Sequence, residues 1–403
     1  MHPSVDKFRA DPVSERPAKP GMHIDSAAAG TIVRLPFSIR ACHMTSPSVP
    51  QPPALQYPWD SLQPTVGEWI TVRPGLHWVR MPLPFALNHI NLWVLDDELD
   101  GQPCWTVVDA GVSIDAIHEA WRTLWAGPMA SQPLGRMLVT HMHPDHIGNA
   151  HWLIEQFSAP GRPARLWMSA TDYLAATIAC KATTGYGGDR AADYFASHGL
   201  DDGEGLVMIR QRGGYFSSMV PKMPESYRRL REGMVVRIGG QDWRCISGFG
   251  HSPEHVALYS AAQGVLISGD MLLPKISTNV SVTDTEPEAD SLGLFLDSLS
   301  RYEELPADTL VLPSHGHPFI GIHARVDALR AHHEERLEDI RQFCAQRPAT
   351  AADLLPVLFK RTLDMHQTTF AMGESVAHLN YLWHRGELRR QADAQGVWRF
   401  SPG

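Results

Sequence analysis

Four potential metal ligands stand within six residues at His141-Met142-His143-Pro144-Asp145-His146. Imidazole and carboxylate together suit zinc, iron, nickel or manganese. A helix cannot aim positions i, i+2, i+4 and i+5 at one point, but a turn from strand to helix can wrap around an ion. In such a turn His141 and His143 could face one metal while Asp145 and His146 face a second. Pro144 stiffens the bend and is poorly tolerated inside a central strand or helix. The apolar stretch 137–140 just before it reads as a strand. Ile147, Ala150, Leu153 and Ile154 give the apolar side of the helix that follows.

Three single residues share one kind of position. His251, Asp270 and His315 each lie just past a short apolar strand (243–246, 265–268 and 310–312), beside or near a glycine or proline. Loops at strand ends carry site residues on a rigid scaffold. Any one of them alone would more often be a capping or hydrogen-bonded residue; their common position, in a chain with the cluster, makes them candidates. Asp109 closes the apolar strand 105–108 in the same way. His255 and His317 stand four and two residues beyond His251 and His315, and the residues alone do not rank them.

His-x-His-x-Asp-His followed by a lone His, a lone Asp and a final His resembles the metallo-β-lactamase superfamily, over roughly residues 69–320. Thr106-Val107-Val108-Asp109-Ala110-Gly111 is similar to its first motif. The resemblance implies an αββα sandwich of α+β class. It implies that His141, His143 and His251 bind one metal and Asp145, His146 and His315 a second, with Asp270 bridging. It also favours His251 and His315 over His255 and His317. Two divalent ions are expected, zinc first, with iron or manganese also compatible. Asp270 and Asp109 are the catalytic candidates. Asp270 would orient a metal-bound hydroxide, and Asp109 would support the ligand loop from behind.

The elements needed to position these residues are legible in outline. Residues 1–60 hold ten of the 31 prolines and no sustained period, and read as a loosely packed or disordered tail. The catalytic unit is expected over 61–345. Strands are expected at 70–72, 76–79, 91–95, 105–108 and 165–168, with 96–101 as a polar hairpin loop and 114–124 as an amphipathic helix. A cap rich in glycine and aromatics is expected at about 170–225, and further strands at 234–238 and 256–259. A long helix spans about 322–343. Residues 346–403 suggest a small winged-helix-like domain, with helical pieces at 351–358, 369–374 and 376–383 and a hairpin of 388–391 with 397–400. Residues 377–382 followed by Gly386 carry that second likeness.

Composition narrows the partners. The formal net charge of −9 and the 20% of charged residues give no global attraction for nucleic acid or anionic lipid. The five cysteines have no C-x-x-C spacing, which excludes a cysteine-based zinc knuckle and argues against a disulfide scaffold. No apolar run approaches membrane-spanning length, and the N-terminus lacks a secretory layout, so no membrane partner and a cytoplasmic location are expected.

The function expected is a metal-dependent hydrolase acting on a small-molecule ester, thioester or lactone. Tyr215, Phe216 and Met219 are candidate pocket walls. Arg210, Arg212, Arg228, Arg229, Arg231 and Lys275 are candidates for a phosphate or carboxylate tail, although 228–231 reads as solvated surface. The alternatives left open are an endoribonuclease or other phosphodiesterase holding nucleic acid through its C-terminal domain, an iron-dependent oxygenase, and a non-catalytic scaffold. A homodimer is also compatible with the sequence.

Overall fold

The computed structural model describes residues 55–403 apart from 184, 186 and 202. Of the expected tail at 1–60, residues 1–54 lie outside the described residues. Residues 55–60 are not loosely packed as expected, because Gln56 pairs with Ile320 through two backbone hydrogen bonds of 3.0 and 2.9 Å. Trp59 packs against the apolar layer between the sheets.

Among the described residues the first sheet has seven strands in sequence order. They are β1 (Trp69–Arg73), β2 (Leu76–Pro82), β3 (His89–Leu99), β4 (Gln102–Val108), β5 (Leu134–Leu138), β6 (Arg165–Met168) and β7 (Tyr227–Arg229). Pairing is antiparallel from β1 to β4 and parallel from β4 to β7. The second sheet runs β13 (Phe319–Ile320), β12 (Leu310–Pro313), β11 (Val265–Gly269), β10 (His255–Ser260), β9 (Gln241–Gly248), β8 (Val235–Ile238).

Three apolar layers stack across the molecule. Along β3, Ile90, Leu92 and Val94 face the layer that receives Ile117, Trp121 and Leu124 of α1 (Asp115–Ala126) and Leu153 of α3 (Ala150–Phe157). The alternate residues Trp93 and Leu95 face Trp243, Leu258 and Ile267 of the second sheet. A period of two with both faces buried is what a central strand of a sandwich requires. On the far side, Ala257 and Tyr259 meet α8 (Ser291–Glu303), α9 (Ile322–Gln346) and α11 (Met365–His384). The result is the expected αββα order.

Several local expectations are corrected. Residues 96–99 are not loop but the end of β3. The reversal is a two-residue turn at Asp100 (φ 53°) and Gly101 (φ 72°), the left-handed pair that a type I′ hairpin requires. Helix α8 was not anticipated; its start is capped by the Asp290 carboxylate, which accepts from Gly293 N at 3.1 Å. The helical pieces at 369–374 and 376–383 are one helix, α11. It opens on a reciprocal cap between Asp364 and Gln367 and has no break to stop it. The short α10 (Leu355–Leu358) and the hairpin of β14 (Leu388–Ala392) with β15 (Trp398–Pro402) complete the C-terminal segment. Leu379, Leu382 and Phe400 of that segment share one apolar layer with Phe295 and Leu299 of α8.

The cap contains α4 (Ala170–Ala179), α5 (Gly188–Ser197), α6 (Gly203–Gln211) and α7 (Tyr215–Met219). The expected solvated run has Arg228 and Arg229 exposed, on an edge strand. No helix among the described residues is long and apolar enough to cross a membrane.

Candidate metal centre

Every candidate ligand leaves the same end of the sandwich. Asp109 follows β4, and His141 and His143 follow β5. Asp145 and His146 lie on the single turn α2 (Pro144–Ile147). His251 follows β9, Asp270 follows β11 and His315 follows β12. Val256 N donates to Thr140 O at 2.8 Å, which ties the two sheets together beside the cluster.

The side chains converge in two groups. His141 Nε2, His143 Nδ1 and His251 Nε2 form a triangle with edges of 2.9, 3.2 and 3.1 Å. Asp145 Oδ2 lies 3.3 Å from His315 Nε2 and 3.6 Å from His146 Nε2. Asp270 stands between the groups. Its Oδ2 is 3.4 Å from His251 Nε2, while its Oδ1 is 3.6 Å from His146 Nε2 and 3.5 Å from His315 Nε2. Ligands 2.0–2.1 Å from a tetrahedral ion are separated by about 3.3 Å, so these edges fit metal coordination.

In four of the five histidines the opposite ring nitrogen is committed elsewhere, which fixes the direction of the lone pair. His251 Nδ1–H donates to Asn279 O at 2.7 Å and His315 Nδ1–H to His89 O at 2.8 Å. His146 Nδ1–H donates to Asp109 Oδ2 at 2.8 Å. Thr140 gives its hydroxyl proton to the Asp109 carboxylate and accepts from His141 Nδ1–H at 3.0 Å. His146 Nε2 and Asp270 Oδ1 are buried without a hydrogen-bond partner among the described residues. Two buried polar atoms 3.6 Å apart with no hydrogen bond between them are costly unless a cation joins them, so the donor set is compatible with divalent metals.

Electrostatics divide the cluster. Burial, reinforced by the neighbouring imidazoles, holds His141 well below the ordinary histidine range and brings His143 down to about 3. Burial would also lower His146 and His315, but carboxylates outweigh it. Asp145, Asp109 and Asp270 raise His146, and Asp270 with Asp145 raises His315 to about 10. Burial opposes the charge of Asp145, yet His146 and His315 bring it to about 2. His141 and His143 are thus held as neutral imidazoles, whereas the second group pairs its carboxylates with histidines that favour positive charge.

Asp109 is buried and holds a left-handed conformation (φ 63°). Its Oδ1 accepts from Thr140 N at 2.8 Å and its Oδ2 from His146, so one carboxylate fixes both ends of the ligand turn. His255 is buried beside the cluster, and its Nε2 accepts from Asp270 N at 3.3 Å. Gly269 (φ 53°) allows that approach, since a Cβ there would stand 2.1 Å from His255 Nε2. His317 stands edge-on to Trp78, with 5.9 Å between ring centroids.

The stretch 276–280 lies against the cluster through Asn279 and Thr278, whose hydroxyl donates to Asp270 O at 2.5 Å. Three supporting residues escaped the sequence reading. Asp172 accepts from Met142 N at 2.8 Å and Glu254 N at 2.5 Å, joining the two histidine loops; burial raises its carboxyl to about 6. Asn91 donates to Pro313 O and Gly316 O, and His89 accepts from Gly316 N, so β3 braces the His315 loop. The only local signal for Asn91 was a polar residue in a run of apolar ones.

Residues 89–315 match the metallo-beta-lactamase superfamily. The chain belongs to that superfamily. Residues 337–403 match the family's metallo-beta-lactamase-like C-terminal domain. The crystal structure of a beta-lactamase domain protein from Burkholderia ambifaria is 51% identical, with a TM-score of 0.82 over 87% of this chain and 98% of that one. A metallo-beta-lactamase family protein from Thermus thermophilus is 26% identical, with a TM-score of 0.64 over 83% of this chain and 100% of its own. A probable metallo-hydrolase from Bacillus subtilis (strain 168) is 24% identical over 75% of this chain and 91% of its own length.

Proposed function

We propose that this superfamily member is a dinuclear metal-dependent hydrolase acting on a small ester, thioester or lactone. The observation that carries the reading is Asp270, with one oxygen within 3.4 Å of a donor in the first group and the other within 3.5 Å of a donor in the second. His141, His143 and His251 would hold one divalent ion, and Asp145, His146 and His315 the other. The Bacillus subtilis relative, described as a probable metallo-hydrolase, supports the same reading.

When bound, such ions supply Lewis acidity, bringing the pKa of water near neutrality and polarising an acyl oxygen. The chain's residues do the positioning. Asp109 and Thr140 lock the ligand turn, while Asn279 and His89 set the ring orientations of His251 and His315. Asp270 is 7% exposed and would act as the inner wall. His143 and Asp145 are more open to solvent and mark the side from which substrate would enter.

The C-terminal cations lend little support to a nucleic-acid substrate. Arg385 pairs with Asp290, Arg390 with Glu288 and Arg399 with Asp393, so most of that positive charge is neutralised within the chain.

The test is metal analysis of the purified protein together with hydrolysis of thioesters, lactones, aryl esters and phosphodiesters. Two zinc ions per chain with acyl hydrolysis are expected. Iron with substrate-dependent oxygen uptake would overturn the reading, and RNA cleavage lost on His143→Ala would replace it with the nuclease.

A further inference from the structure

Of the cations that sequence reasoning offered for an anionic tail, most are accounted for elsewhere. Arg210 pairs with Asp189 and Asp193, Arg228 stacks on Trp167, and Lys275 lies over Tyr57. Arg229 and Arg231 are exposed. Arg212 differs. It is half-buried in the turn between α6 and α7, and among the described residues no carboxylate lies within ion-pair distance of it.

Its surroundings are built from separate parts of the chain. The guanidinium lies 4.6 Å over the Tyr215 ring of α7, and its Nη1 donates to Thr369 Oγ1 of α11 at 3.3 Å. Tyr215 is bonded across the same gap to His366, Oη to Nε2 at 2.9 Å. Phe85, from the loop between β2 and β3, stacks on the His366 ring at 5.7 Å and 12°. Cap, C-terminal helix and first sheet thus meet around one guanidinium.

This wall adjoins the metal cluster. Met219, at the end of α7, accepts from Ser113 N at 3.0 Å, which seats the helix beside the Asp109 segment, and α7 packs on α2. Burial pushes the Tyr215 hydroxyl up to about 12; Arg212 counteracts this, and Asp145 of α2 lies close enough to add to it.

We propose that Arg212, framed by Tyr215, His366 and Thr369, is the specificity residue of this enzyme, taking a carboxylate or phosphate group on a substrate whose acyl bond lies at the Asp145–Asp270 cluster. The role of Arg212 within a reaction rests on the hydrolase reading; anion binding at Arg212 does not. A planar fork with most of its five donors uncommitted among the described residues matches a carboxylate or phosphate edge. A stacked aromatic pair beside it suits the apolar body of the same molecule.

Two measurements separate the claims. Binding of glutarate and of inorganic phosphate to chelator-stripped protein is followed by ligand-detected NMR, so that metals cannot capture the anion. At least one anion should bind the wild type and weaken about tenfold or more in Arg212→Met, while Arg210→Met stays within about twofold. The kcat/KM ratio of an anionic aryl ester (4-nitrophenyl hemisuccinate) to a neutral one (4-nitrophenyl butyrate) should fall about tenfold in Arg212→Met, mainly through KM. Arg212→Lys, which keeps the charge without the fork, should fall between. Anion binding without ester hydrolysis would remove the hydrolase reading and leave the anion site standing. Failure of both anions to bind, or equal binding to wild type and Arg212→Met, overturns the inference.

Discussion

Asp270 Oδ1 lies 3.5 Å from His315 Nε2, across a junction to which five separate strand ends deliver ligands or their supports. Its other oxygen faces His251, so the carboxylate belongs to both donor groups. Asp270→Ala should therefore disturb both. Metal content should fall from two ions to one or fewer per chain by elemental analysis, with activity down at least 10³-fold as polarising metal is lost. Two ions at wild-type affinity would show that the bridge is misassigned.

Asp145 touches the second group alone, through His315 and His146. Asp145→Ala should empty or weaken that site and spare the first. Titration with zinc should show one tight site in place of two, with an unchanged far-ultraviolet circular dichroism spectrum.

Asp109 accepts from Thr140 N at one oxygen and, at the other, from His146 Nδ1 and from the Thr140 hydroxyl. Asp109→Asn keeps the volume, but its amide NH₂ cannot accept the second of these protons. Metal affinity should weaken about 10–100-fold, the usual scale for losing the partner behind a ligand. An unchanged affinity would mean that the turn is held by Pro144 and backbone contacts alone.

At the other end of β3, Asp97 pairs with Arg136, with both side chains nearly inaccessible (2% and 7%). The strand places this pair eight residues from His89, about 26 Å along the sheet. Asp97→Ala strands a buried guanidinium and should cost about 3–5 kcal/mol by urea unfolding. Zinc stoichiometry should stay at the wild-type value, which separates the stability of the sandwich from its chemistry.

Glu374 on α11 is half-buried, and burial raises its carboxyl to about 7 against weaker lowering by Asn279 and Arg336. The unfolded chain releases this proton near pH 4.5, the folded chain only near 7. Stability from this group is therefore present below about pH 4.5 and lost as pH rises to 7, at a limiting slope of roughly 1.4 kcal/mol per unit. Glu374→Gln should flatten that part of the stability profile. A parallel decline in wild type and variant would assign it to other groups.

The candidate ligands were legible because metal chemistry needs particular residue types at strand ends, and both type and position are local features. The supporting residues were not. Asp172 acts on the amides of Met142 and Glu254, one 30 residues before it and the other 82 after, and no spacing rule announces such a contact. Asn91 likewise serves a loop more than 200 residues away. Element boundaries failed for other reasons. Acidic residues 96–98 look like a loop until Asp97 is seen to be buried by Arg136, although the Asp100-Gly101 turn was readable. Helix α8 carried a usable signal: the Asp290 cap and buried Leu292, Phe295, Leu299 and Tyr302 at helical spacing.

The most direct test is anomalous diffraction from crystals grown with zinc. Two peaks are predicted, about 3.5–4 Å apart, one bound by His141, His143 and His251, the other by Asp145, His146 and His315, with Asp270 reaching both. A single peak, or ions bound elsewhere while these side chains keep the same arrangement, would contradict the dinuclear assignment.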